Sequence, residues 1–365
     1  MKAVIVGGGI AGLGSALALT QRGWHVQVLE RAAEFTDVGA GLSLWPNGLR
    51  ALDLLGVAGP VRNRAVLQGA LGTRDPAGRW LSRTDTGELE RRYGPLAMIH
   101  RADLVAVLRD AVPDGALHPA TTVSAVRADG TVVHSAGECR ADLVIGADGI
   151  HSVTRRSVWP AAAPAPRYVG YTSWRVVTAP VPVGEACEWW GRGERFGYAP
   201  LPDGRVYCYA TANAPEGASD SGLTELRRRF GSWHRPIPEL LDAADSDAVL
   251  HLDLYELPPL KAYTLDRVAL AGDAAHAMTP DLGQGACQAL EDAVVLGSVM
   301  ASGAGLAAYE QRRWRTQMIA RRSRQLGAIA QWSSPTAVSL RNLALRSLPS
   351  SSFARSLAPV LDWGA

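Results

Sequence analysis

Lys2–Val6 opens the chain with an apolar run, the pattern of a short strand buried on both faces. Leu13, Leu17 and Thr20 then fall at helical spacing, so Ile10–Arg22 reads as a helix that Gly23 ends. Trp24–Glu30 is apolar again. Strand, helix, strand in that order predicts a βαβ unit and hence a parallel sheet. Ala141–Gly149 and Arg267–Asp273 repeat the form of a strand running into glycine, the second followed by a loop and a helix from about Gly283. Between them, Tyr168–Leu257 turns to alternation rich in Trp, Tyr and Val, with turn dipeptides such as Asp203-Gly204, which predicts antiparallel strands. Residues 71–95 read as a smaller hairpin of the same layer. Leu306–Trp332 reads as a helix with a basic face (Arg312, Arg313, Arg315, Arg321, Arg322, Arg324), taken as solvated. The stretch from about Ala330 is a short helical tail with a Pro/Ser break. The fold class expected is α/β, with a parallel-sheet region interrupted by a β-rich insertion.

The chain has 365 residues, 47% hydrophobic and 20% charged, close to globular averages and enough to bury a core without staples. Lys+Arg at 37 against Asp+Glu at 35 leaves +2, so no global field recruits nucleic acid or a membrane surface. Cys139, Cys187, Cys208 and Cys287 are scattered, with no C-x-x-C, which argues against a disulfide framework and a zinc site; no metal is expected. The apolar N-terminus imitates a secretory signal, but Gly7, Gly8, Gly9 and Gly12 would break a signal helix. A cytoplasmic protein is expected.

Those glycines have a better use. Gly7-Gly8-Gly9-Ile10-Ala11-Gly12 satisfies G-x-G-x-x-G, follows a strand, opens a helix, and precedes Glu30 at the end of the next strand. Gly7 permits the tight turn, Gly9 lets a pyrophosphate approach, and Gly12 lets helix and strand pack closely. The free N–H groups and positive end of the helix favour phosphate, and Glu30 can accept from ribose hydroxyls while repelling a 2′-phosphate. The site therefore suits FAD or NAD rather than NADP.

Further segments decide between the two. Ala147-Asp148-Gly149-Ile150-His151-Ser152 with Arg155 resembles the DG motif of flavoprotein hydroxylases. Leu270-Ala271-Gly272-Asp273-Ala274-Ala275-His276, continuing through Pro280 and Gly283-Gln284-Gly285, resembles their GD motif. Gly41–Leu52 and His100–Leu104 match two more segments, in the same order along nearly the whole chain. The sequence thus resembles the class A flavin-dependent aromatic hydroxylases, such as the para-hydroxybenzoate and salicylate hydroxylases.

The resemblance implies one bound FAD, reduced by transient NADPH or NADH, and a C4a-hydroperoxyflavin that passes one oxygen atom to an electron-rich substrate. It implies a Rossmann-like FAD domain of the GR2 type (1–70, 97–165 and 263–330), a substrate-binding β-sheet domain (71–96 and 166–262) and a C-terminal helical tail (331–365). Besides Gly7, Gly9, Ile10, Ala11, Gly12 and Glu30, it assigns cofactor roles to Gly41, Arg101, Val123 (beside adenine), Asp148, Arg155, Gly272, Asp273, Gly283, Gln284 and Gly285. Asp148 needs a cationic partner near the pyrophosphate, for which Arg155 and Arg31 are the candidates. Pro280 would lie over the ring, and the helix starting near Gly285 would stabilise the anionic edge of reduced flavin.

The cofactor carries the difficult chemistry, so no catalytic triad is sought. His276 adjoins the flavin loop and is a candidate acid or base, though a core histidine is the plainer reading. Arg175 could hold an anionic substrate group, and Trp45, Trp190, Tyr198, Tyr207 and Tyr209 could wall the pocket, with core packing as the competing reading. The partner expected is an aromatic or polycyclic small molecule, acted on by a monomer or homodimer. A disulfide reductase lacks its cysteine pair here, and a flavin halogenase lacks its lysine, since only Lys2 and Lys261 occur. Epoxidation, another FAD oxidase activity, or a flavin-binding scaffold without turnover stay open.

Overall fold

The computed structural model describes residues 1–35, 40–68, 70–349 and 351–364. Its first sheet has six strands in the order Thr264–Leu265, Val268–Leu270, Leu143–Gly146, Lys2–Val6, His25–Leu29, Leu117–His118. All run parallel except the short Thr264–Leu265, which folds back on its neighbour. Lys2–Val6 is central, with Val4 opposite Val144 on one side and Gln27 on the other. Both faces are covered, as its apolar run requires.

Helix Ile10–Thr20 packs between this sheet and helix Gly285–Ala301. Small residues set how close the helices come. A Cβ on Gly14 would lie 3.1 Å from the Cβ of Ala293, and one on Gly297 would lie 2.9 Å from that of Ala18. On the other face sits a small antiparallel sheet, Val123–Val126, Thr131–His134 and Gly137–Arg140, whose Val123, Val126 and Val132 bury with Val4, Val6 and Leu29.

The insertion forms a seven-stranded sheet in the order Leu250–Glu256, Arg167–Thr178, Val206–Asn213, Glu194–Pro200, Cys187–Trp190, Ala70–Arg74, Trp80–Asp85. All neighbours are antiparallel except Cys187–Trp190 with Ala70–Arg74. Strand alternation gives it two faces. Trp174, Val176, Trp189, Phe196, Tyr198 and Cys208 form a core with helices Leu223–Phe230 and Ile237–Asp242. The opposite face, bearing Arg175, Tyr207 and Tyr209, turns toward the nucleotide half.

Two elements depart from expectation. Within 71–95 the hairpin ends at Asp85, and Thr86–Tyr93 is a helix that buries Leu89 and Tyr93. The helix expected over Leu306–Trp332 is two, Gly305–Glu310 and Arg313–Ala330. Its basic face is only partly solvated, because Arg315 points inward at 8% exposure. The tail is two helices, Pro335–Ser347 and Ser351–Leu361, packed against the sheet edge and the nucleotide half. No described helix is long and apolar enough to cross a membrane.

Candidate cofactor and substrate site

Three turns meet at the carboxyl ends of adjacent parallel strands, the crevice where such sheets bind ligands. The first is the glycine turn after Lys2–Val6. Gly7 has φ +100°, and a Cβ there would lie 2.4 Å from the Ala147 carbonyl oxygen in the second turn. Gly12 touches Gly7 itself, and a Cβ would fall 1.9 Å from the Gly7 oxygen. Gly9 differs, because a Cβ there would meet nothing within 4 Å. It opens the helix onto empty space, and no side chain caps that end. The first-turn N–H groups of Ile10, Ala11 and Gly12 are thus left for an anion. Glu30 braces the turn, its Oε2 accepting from the Gly8 N–H at 2.6 Å and its Oε1 from the Ala32 N–H at 2.8 Å.

The second turn carries Asp148. Its partners are neutral donors: the Ser152 hydroxyl at 2.5 Å and the Thr154 N–H and hydroxyl at 2.9 and 3.1 Å. This corrects the expected pairing with an arginine. Arg31 is exposed, and Arg155 is buried at 1% with its Nη atoms on the Ile150 and Ala274 carbonyls at 2.5 and 2.8 Å. Arg155 therefore clasps the second turn to the third and acts on Asp148 only through its field.

The third turn holds Gly272 at φ +58°, where a Cβ would lie 2.7 Å from Ala11. Asp273 follows and is exposed into the crevice. Behind it, Asp292 Oδ2 accepts from the Gly272 N–H at 2.8 Å and lies 2.6 Å from His276 Nε2. His276 is buried at 4%, against Tyr263. Burial favours its neutral form, but the Asp292 carboxylate outweighs that and raises its pKa. The ring faces a buried carboxylate that also accepts from the Gly272 N–H, the geometry of a brace for the turn.

Downstream, Pro280 begins a short turn and is exposed, and Gly283 takes a left-handed φ of +60°. Helix Gly285–Ala301 then starts with no side-chain cap, and a Cβ on Gly285 would meet nothing within 4 Å. The crevice thus has a second uncapped helix start, 17 residues long. The Gln284 side chain turns inward to Asn47, leaving only its backbone for a ligand. Val123 heads its strand beside Val6 and Leu29, near Glu30.

The sheet of the insertion closes the crevice. Tyr207 packs against Gly41, where a Cβ would be 2.3 Å from the ring carbon Cγ, and the Arg101 N–H donates to the Ala40 carbonyl beside it at 2.8 Å. Burial keeps the Tyr207 phenol protonated, with Arg175 and Arg101 acting in the opposite sense. Tyr209 lies over Gly197, its ring 5.8 Å from that of Tyr207. Arg175 is half-buried on this face, and its side chain has no hydrogen bond or ion pair among the described residues. Trp45 is buried at 7% with its Nε1 beside Gly283.

Two aromatic expectations fail. Tyr198 pairs across strands with Cys208 and so faces the helices on the far side of the sheet. Trp190 is roofed by Leu81, Ala330 and the Arg341 guanidinium, 5.5 Å above its ring.

Sequence reasoning missed a buried cluster on the pocket face. Arg195 Nη2 donates to Asp281 Oδ1 at 2.7 Å, the Tyr171 hydroxyl donates to Asp281 Oδ2 at 2.8 Å, and Glu188 lies 3.5 Å from Arg195. Burial opposes the charge on Arg195, but Asp281 and Glu188 hold its pKa above the usual value. Glu188 is pushed up by burial against the pull of Arg195. Only the place of Asp281 beside Pro280 could have drawn attention to it.

Comparison with known proteins agrees with this geometry. Residues 1–318 match the family described as FAD binding domain. The chain is 37% identical to the aurachin C monooxygenase/isomerase of Stigmatella aurantiaca, over 96% of this chain and 95% of that one. It is 38% identical to the 3-amino-4-hydroxybenzoate 2-monooxygenase of Streptomyces cremeus, over 89% and 86%. The fold superposes on Klebsiella pneumoniae HpxO complexed with FAD and uric acid with a TM-score of 0.91, at 28% identity and covering 99% of this chain and 96% of that one. Open helix starts at Gly9 and Gly285, the exposed Asp273 between them, and these likenesses have one account: the chain belongs to the class A FAD-dependent aromatic hydroxylases.

Proposed function

We propose that the protein is a single-component monooxygenase that uses NADPH or NADH and O2 to hydroxylate an electron-rich aromatic molecule bearing an anionic group. The observation that carries the reading is Arg175. It is a half-buried cation with no hydrogen-bond or ion-pair partner among the described residues, on the same sheet face as Tyr207 and Tyr209. A guanidinium in that setting gains most from a substrate carboxylate or other anion.

The FAD pyrophosphate would lie over Gly9 and the N–H groups of Ile10–Gly12, with Glu30 facing the ribose. Asp273 would accept from the ribityl hydroxyls. The uncapped start of helix Gly285–Ala301 would face the ring, where its positive end favours the electron-rich, reduced state. Bound there, the flavin supplies hydride acceptance from NAD(P)H and the activation of O2. The protein's part is orientation and the exclusion of water. Arg175 would hold the anion, the neutral phenols of Tyr207 and Tyr209 would donate hydrogen bonds or pack on the substrate ring, and Pro280 would press on the opposite side. His276 has no proton-transfer role in this scheme.

Anaerobic reduction by NADPH and by NADH tests this, alone and with aromatic acids, phenols and polycyclic quinones. A true substrate is expected to speed bleaching and to give an oxygenated product on admission of air. Hydrogen peroxide as the only product with every compound would overturn the hydroxylase reading. With a substrate identified, Arg175→Ala should raise KM for it by about 10- to 100-fold, the worth of one charge-assisted hydrogen bond, with FAD content unchanged. Loss of flavin instead would make Arg175 a cofactor residue.

A further inference from the structure

The last helix, Ser351–Leu361, lies against the site's own framework. Leu357, Val360 and Leu361 bury with Trp45, Leu282 and Cys287. Its final carbonyls have no helical partners, as at any helix end. Two arginines take them up. Arg315 donates from Nη1 to the Pro359 carbonyl at 2.8 Å and from Nη2 to that of Val360 at 2.7 Å. Arg50 donates to the Leu361 carbonyl and, at 2.9 Å, to that of Tyr93.

The same Arg315 guanidinium binds Glu291, at 3.0 Å through Nε and 3.1 Å through Nη2. Glu291 Oε1 also accepts from Asn47 Nδ2 at 2.7 Å and Gln288 Nε2 at 2.9 Å. Asn47 Nδ2 in turn donates to Gln284 Oε1 at 2.9 Å. Gln284 stands between Gly283 and Gly285, in the turn where the proposed function puts the flavin ring. Arg315, Glu291, Asn47 and Gln284 are all at most 8% exposed. One continuous buried chain of hydrogen bonds therefore runs from helix Ser351–Leu361 to the Gly283–Gly285 turn.

We propose that Arg315 is a positioning residue for the flavin, tying the docked state of helix Ser351–Leu361 to the geometry of the Gly283–Gly285 turn through Glu291 and the Asn47–Gln284 pair. The inference rests on the flavin lying at that turn, and needs only bound FAD rather than oxygenation. Burial of the members makes the arrangement all-or-none. If the helix leaves, Arg315 loses two acceptors, and water reaches an ion pair whose other side orders the turn. Linkage then works in both directions, so whatever orders the turn also secures the helix.

Hydrogen exchange on the full chain, with FAD and after its removal, reads this directly. Removing FAD should raise amide exchange in residues 351–361 together with 283–290. Glu291→Gln keeps the shape of the site and removes the charge that holds Arg315. It should weaken FAD binding by about 10-fold, a typical coupling, and make exchange in 351–361 insensitive to FAD. Arg315→Lys is the second variant; it keeps the charge, loses the two-pronged contact, and should show the same uncoupling while folded. A purely structural role would lower the melting temperature and leave the FAD dependence of tail exchange intact. That result in either variant overturns the proposal, as does wild-type exchange in 351–361 that is the same with and without FAD. Failure to find an oxygenated substrate would leave these readings unchanged.

Discussion

A Gly9→Ala chain should fold with an unchanged far-ultraviolet circular dichroism spectrum and come off the column colourless. The backbone there is extended, at φ −78° and ψ −171°, a conformation open to any residue. The added methyl would meet nothing within 4 Å, so the folded chain has no clash to relieve. Its cost is the poorer helix cap that Ala makes, about 1 kcal/mol or less. The methyl would occupy the space above the helix start that a pyrophosphate needs. Losing two charge-assisted hydrogen bonds, each worth about 1.5 to 3 kcal/mol, weakens FAD binding by about 100-fold or more. Gly12→Ala is the contrasting case. Its Cβ would lie 1.9 Å from the Gly7 carbonyl oxygen, a backbone atom that cannot swing aside. That variant should lose both thermal stability and FAD. Flavin fluorescence titration and melting curves on the two proteins separate space for a ligand from space for the fold. A Gly9→Ala protein that purifies yellow with one FAD per chain would put the pyrophosphate elsewhere.

Arg195→Met should lower unfolding free energy by about 3 to 5 kcal/mol, the usual result of stripping one partner from a buried ion pair. The Asp281 side chain is fully buried, and without Arg195 its one remaining hydrogen-bond partner among the described residues is the Tyr171 hydroxyl. Replacing both partners, Arg195→Met with Asp281→Leu, should recover part of that loss, because one of the two carboxylates that Arg195 serves is then gone and Glu188, already pushed up by burial, can take a proton. Guanidinium unfolding of the two variants gives both numbers. Function should not recover in the same way. Arg195 stands on the insertion sheet and Asp281 in the turn beside Pro280, so the pair holds the two halves of the pocket in register. In both variants a larger share of the nicotinamide oxidised should end as hydrogen peroxide rather than product. A double variant that is stable and also fully coupled would reduce the pair to a fold element.

The nucleotide half was legible because its signals are local. Gly7, Gly9, Gly12 and Glu30 lie within one βαβ unit, and each has a conformational duty readable from spacing alone. The pocket was legible only in part. Alternation put Tyr207 and Tyr209 on one face and Cys208 on the other, and that logic holds. Applied to the next strand, it would have removed Tyr198, but the register of Tyr198 opposite Cys208 is set by pairing that no short window contains. The Arg195–Asp281 pair spans 86 residues of sequence, and the Arg315–Glu291 pair 24. Each becomes visible only when the chain is folded. Charge alone asks for a cation beside Asp148, whereas two hydroxyls and an N–H satisfy it instead.

The packing of helix Ile10–Thr20 against Gly285–Ala301 also orders events at the ribosome. The first helix is buried on nearly every side, yet one of its walls is encoded some 270 residues later. At about 5 to 20 residues per second, synthesis needs roughly 15 to 60 s to deliver that wall. Until then the glycine turn emerges early but stands on a helix whose apolar side faces water or a chaperone. The nascent protein therefore cannot load its cofactor as the dinucleotide fingerprint appears; loading waits until residues 285–301 have emerged, and a chain stalled before residue 285 is a client for quality control rather than a partly active enzyme.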